Sequence, residues 1–146
     1  MLLKPKRTNH TRYQKGRISE NILIKQDFLK IADKNDYCII ALENCRLTAG
    51  QIYALELGLK RMLKADGSKR SDYKLRVFPN IGISKKSIGT RMGKGKGGID
   101  QWVKRLKRGA IIIEYNCSNV NVGKNIWKIL NSRLPIKTKF IARNVR

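Results

Sequence analysis

The chain reads as an α+β domain: a mixed or antiparallel sheet with two packed helices, plus a basic N-terminal arm and a Gly/Lys-rich loop. Three observations predict this. Short apolar or alternating runs recur at 36–42, 73–78, 101–106, 111–115 and 136–140. Two longer segments, 48–64 and 119–134, carry apolar residues at helical spacing instead. The cations gather in the remaining stretches, with Lys+Arg at 33 against Asp+Glu at 10, a net charge of +23.

The first 20 residues form a basic arm that carries Lys4, Lys6, Arg7, Arg12, Lys15 and Arg17, interleaved with His10 and Tyr13. Pro5 and Gly16 punctuate it, and it has no acid before Glu20. An amphipathic transit helix does not fit that pattern. The expectation is an extended segment that becomes ordered along RNA. Residues 21–146 then make the single folded domain, since 146 residues supply one core but not two.

Within that domain, 22–31 is ambiguous between strand and helix. DYCIIAL (36–42) is a short apolar run and predicts a buried strand. Thr48 followed by Gln51 is a capping-box pattern that opens a helix. Ile52, Leu55, Leu59, Met62 and Leu63 share its inner face, and Glu56 and Lys60 can pair on the other side. ADGSKRSD (65–72) is a turn. In YKLRVF, Tyr73, Leu75 and Val77 point inward while Lys74 and Arg76 face out, and Pro79 ends the strand. Residues 80–89 read as loop or irregular strand. Strands at 101–106 and 111–115, joined by a short connection that contains Gly109, suggest a hairpin. Asn119 or Asn121 caps a second helix that runs to about Leu134, with Val122, Ile126, Ile129 and Leu130 inward and Pro135 as its stop. In IKTKF, Lys137 and Lys139 face away from Ile136 and Phe140.

The excess charge limits the function classes. A surplus of +23 asks for a polyanion, and nucleic acid is the first candidate. A membrane partner is disfavoured, because no run of about 18 apolar residues exists. The three cysteines, Cys38, Cys45 and Cys117, have no zinc spacing and read as reduced structural thiols. Neither metal nor cofactor is expected.

TRMGKGKGG (90–98) is the most informative stretch. Gly93, Gly95 and Gly98 match G-x-G-x-x-G, but the helix and the downstream acid of a dinucleotide site are missing. Arg91, Lys94 and Lys96 supply charge instead, and Gly93, Gly95 and Gly97 let the backbone approach phosphates closely. Met92 sits among them. An enzyme acting on RNA is disfavoured, since Asp100 is the only nearby carboxylate. A free-standing RNA-binding regulator would use the same charges and remains the alternative.

KPKRTNHTRYQKGR at the start, RLTAGQI (46–52), RVFP (76–79), TRMGKGKGG, Trp102-Val103 and LPIKTKF (134–140) stand in one order. Together they resemble the L-sixteen family of large-subunit ribosomal proteins, in its bacterial and organellar form. The resemblance implies a non-catalytic constituent of the large subunit. Its expected partners are large-subunit rRNA, tRNA at the aminoacyl site and neighbouring ribosomal proteins. It also implies RNA contacts from the arm, from Arg91 to Gly97, and from Lys137 and Lys139; Arg46 and Arg76 lie within the matched motifs. The segments at 19–35 and 65–74 depart from the family's pattern. The bias toward Ile, Asn and Lys suggests a mitochondrial ribosome, with a plastid or a bacterial cytoplasm as the alternatives.

Overall fold

A computed structural model describes residues 4–8, 10, 12–14, 16, 37–67, 73–93 and 95–142. The ambiguous 22–31 stretch and the arm residues Lys15 and Arg17 lie outside the described residues, as does Lys94.

The described elements run β1 (Tyr37–Ala41), β2 (Cys45–Thr48), α1 (Ala49–Ala65), β3 (Tyr73–Leu75), β4 (Ile81–Ser84), β5 (Ile99–Leu106), β6 (Ile111–Tyr115), α2 (Val120–Asn131) and β7 (Thr138–Ala142). They form two sheets rather than one. The first has the order β3-β6-β1-β7 and the second β2-β5-β4. Every pairing described is antiparallel.

The expected hairpin between 101–106 and 111–115 does not form. β5 belongs to the second sheet and β6 to the first, and the connection between them crosses from one to the other. Gly109 makes the crossing with φ at 88°, and its N–H donates to the Ala41 carbonyl at 2.7 Å. Ala41 in turn donates to the Ala110 carbonyl at 3.0 Å. The turn is therefore held by the end of β1, not by a partner strand of its own.

β1 explains its unbroken apolar run by being buried on both faces. Tyr37, Ile39 and Ala41 join the main core, while Cys38 and Ile40 pack with Ile111 and Ile141 in a second cluster. The main core is completed by Ile52, Leu55, Leu59 and Leu63 of α1, Ile113 and Tyr115 of β6, and Ile126 and Leu130 of α2. Tyr115 is fully buried, and its hydroxyl donates to the Gly123 carbonyl at 2.8 Å, so the sheet is tied to α2 by a satisfied polar group.

The Thr48–Gln51 capping box is present in both directions, with Gln51 N–H on Thr48 Oγ1 at 3.3 Å and Thr48 N–H on Gln51 Oε1 at 2.9 Å. Glu56 pairs with Lys60 at 2.9 Å as its spacing predicts. It is buried rather than on an outer face, and it also accepts from the Tyr73 hydroxyl at 3.0 Å. Gly58 lies where α1 meets α2; a Cβ there would meet the Arg133 guanidinium and Leu130. Asn119 is the N-cap residue of α2, as expected, though it makes no side-chain cap bond; the helix ends at Asn131 rather than near Leu134, and Ile129 is 38 % exposed rather than inward. The helix turns its apolar stripe toward α1 and β7 through Ile126, Trp127 and Leu130, which leaves Ile129 outside it.

Candidate nucleic-acid interface

The second sheet carries the glycine loop. β4 and β5 pair antiparallel, and residues 85–98 connect them, so the loop is the long connection of a β-hairpin. Its base is closed by Lys85 N–H on the Gly98 carbonyl at 3.0 Å. Gly97 is fixed there by sterics: a Cβ would lie 2.4 Å from the Lys85 carbonyl oxygen. Further out, Gly93 (φ 93°) and Gly95 (φ 77°) occupy the left-handed region that other residues avoid. A cleft of about 490 Å³ lies along this loop; its charged lining is Lys85, Lys86, Lys96 and Asp100, alongside the loop's glycines. Arg91 is exposed, and Ile88 and Met92 stand almost wholly in solvent at 98 % and 99 %.

The arm meets this loop. Lys96 Nζ donates to the Tyr13 carbonyl, and Lys86 Nζ donates to that of Gly93. Arg46 on β2 donates to the Gly16 carbonyl, and Arg105 on β5 to the Gln14 carbonyl at 3.4 Å. The Tyr13 ring packs edge-on against Trp102 at 5.6 Å between centroids, and His10 packs edge-on against Tyr13 at 6.3 Å. Three cations of the sheet and its loop thus hold three successive described carbonyls of the arm.

These contacts sort the expected site residues. His10, Tyr13, Arg46, Met92, Gly93, Gly95, Lys96 and Gly97, together with the exposed Arg91, belong to the arm, the second sheet or its loop. Lys4, Lys6, Arg7 and Arg12 are exposed along the arm. Lys137 and Lys139 are exposed beside and on β7, at the edge of the other sheet, with the alternation that IKTKF predicts. Arg76 is exposed, as the alternation in YKLRVF predicts. Its Nε lies 2.7 Å from Oε1 of Glu114, a carboxylate with no solvent exposure, so it has a structural partner within the protein. The strand it was assigned to is also shorter, ending at Leu75. Arg105, which holds the Gln14 carbonyl of the arm, is the residue that a reading of single motifs misses. The signal is the basic run KRLKR at 104–108 next to an aromatic.

No group of three or more His, Cys, Asp or Glu side chains is clustered among the described residues. Nor is any described helix long and apolar enough to cross a membrane. Burial pushes the Cys38 thiol up to about 11, with Glu114 adding to it, and burial does the same to Cys45, with Glu43 adding. Both are protonated near neutrality, which suits packing rather than nucleophilic chemistry.

The family model for ribosomal protein L16p/L10e matches residues 5–141, a span that includes the arm, both sheets and the loop. The chain belongs to this family. Its relatives include the large ribosomal subunit protein uL16 of Borreliella burgdorferi strain B31, 34 % identical over 142 residues that cover 97 % of each chain. The protein of that name from Blochmanniella pennsylvanica is 36 % identical over 148 residues, covering 98 % of this chain and all of that one. Both are bacterial proteins. The matched span covers nearly the whole of the six sequence motifs.

Proposed function

We propose that this chain, by family a structural constituent of the large ribosomal subunit of a bacterial-type ribosome, binds large-subunit rRNA through the joined surface of arm, second sheet and glycine loop, and helps position tRNA at the aminoacyl site. The observation that carries this reading is the Lys96–Tyr13 bond, which joins the two most basic extensions of the chain. Phosphates are matched by exposed Arg91, Arg12, Arg7, Lys6 and Lys4. The loop's glycine backbone allows close approach, and specificity comes from the shape of the folded RNA. The apolar tips Ile88 and Met92 suit packing against bases or a tRNA backbone once water is excluded. No catalytic role is assigned; Asp100 is the nearby carboxylate in the sequence, and it lines the loop's cleft together with Lys85, Lys86 and Lys96. The bias toward Ile, Asn and Lys supports a mitochondrial member of the family over a bacterial one.

Sedimentation tests the reading. A tagged chain expressed in its source cells should travel with the large subunit at moderate salt. Recovery in light fractions, bound to other RNA, would favour the free-standing regulator instead.

A further inference from the structure

We infer that the cleft between α2 and β7 is a second RNA site, which takes a single unstacked ribonucleotide. The cleft measures about 480 Å³, within the roughly 300–1,000 Å³ typical of small-ligand sites. Its apolar lining is Leu42, Trp127 and Phe140, and its cations are Lys124, Lys128 and Lys139. Among the described residues, the contacts that join arm, loop and second sheet involve neither α2 nor β7.

Two features argue for an anionic, aromatic occupant. Lys124 and Lys128 stand at i and i+4 on a helix without a single acid, an arrangement that disfavours the isolated helix. Lys139 lines the same cleft from β7, and among the described residues no carboxylate lines it, which favours an anionic group from outside. The aromatic wall is also pre-set. Trp127 Nε1 donates to Thr138 Oγ1 at 3.0 Å, and that hydroxyl donates to Asn131 Oδ1 at 2.7 Å. With its one polar atom satisfied, the indole offers only a flat apolar surface, and Phe140 lies 6.4 Å from it between centroids. A base stacked on an aromatic while lysines hold its flanking phosphates is the usual way proteins grip unpaired RNA. Asn125, also on the lining, can hydrogen-bond a base edge.

The inference rests on the RNA-binding reading above, and the test separates the two. The full chain is titrated with a mixed-sequence hexaribonucleotide carrying one 4-thiouridine, across a range of salt, and cross-linked peptides are mapped. Wild type should cross-link at Trp127 or Phe140 as well as in the arm or loop. Lys124→Gln/Lys128→Gln/Lys139→Gln, all exposed positions, should lose the α2–β7 cross-links and lower the log–log salt slope by about 2, the share of three single-strand phosphates. Arg91→Gln should keep the α2–β7 cross-links. If the triple variant keeps the wild-type slope and cross-links map to arm and loop alone, the second site is wrong and the first stands. If hexaglutamate displaces the oligonucleotide from α2–β7 and binds with the same lysine dependence, the cleft serves an acidic protein segment and the inference fails. Loss of cross-links everywhere, in wild type, would overturn both readings.

Discussion

Arg46 on β2 and Arg105 on β5 stand directly opposite each other in the ladder, and each donates to a backbone carbonyl of the arm. Like charges in that relation repel across a sheet. The arm's carbonyl oxygens give both guanidiniums a partner, so these two residues position the arm.

Replacing both, as Arg46→Gln/Arg105→Gln, should therefore release the arm without unfolding the domain. Backbone 15N order parameters at Tyr13, Gln14 and Gly16 should fall, since each charge-assisted bond contributes roughly 1.5 kcal/mol or more. Global stability should change little. Unaltered order of the arm would contradict the assignment.

Arg91→Ala and Lys96→Ala separate two roles within one loop. Arg91 is exposed, so its loss should slow tRNA accommodation in reconstituted ribosomes while leaving the free protein unchanged. Lys96 holds Tyr13, so its loss should also loosen the arm in the absence of RNA. Equal behaviour of the two variants in the free protein would count against the division.

Gly97→Ala should destabilise the β4–β5 hairpin by about 1–3 kcal/mol, because the new methyl would meet backbone rather than a movable side chain. Gly98→Ala has open space and should cost little. Urea melts of the pair decide this, and equal midpoints would refute the steric account.

Arg76→Ala should cost more stability than Lys74→Ala, by about 2 kcal/mol or more, because it removes the guanidinium from the fully buried Glu114 carboxylate. Denaturant midpoints compare them. If the two variants match, the ion pair is not a structural element.

Glu56 gives the stability a pH dependence. Burial alone would raise its carboxyl, but hydrogen bonds from Lys60 and Tyr73 outweigh burial and hold it below the ordinary 4.5. A depressed folded value means the unfolded chain takes up the proton first as pH falls. The stabilisation is therefore full above about 4.5 and is lost as pH drops through the folded value. Glu56→Gln should be less stable than wild type at pH 6, and the gap should narrow below pH 4. A constant gap would contradict the linkage.

Much of this was legible in the sequence, and the residues show where it stopped. Thr48 and Gln51 act within one turn, so the cap could be read locally, and it is present as expected. The inward residues of α1 and the outward Lys137 and Lys139 follow from periodicity alone. The division into two sheets did not, because a four-residue connection with Gly109 serves a hairpin and a sheet crossing equally well; the Ala41 contacts that decide between them are distant in sequence. The outward Arg76 follows from alternation as well, but alternation cannot reveal that a neighbouring strand buries Glu114 beside it. The arm's carbonyl contacts were hidden for a related reason: backbone acceptors carry no residue signature.

The most direct test of the central claim is the salt dependence of binding between the full chain and transcribed large-subunit rRNA. The account predicts a straight log–log decline, with roughly a thousandfold or greater loss of affinity between about 50 and 200 mM salt, as six or more phosphate contacts require. Affinity that stays flat over that range would contradict it.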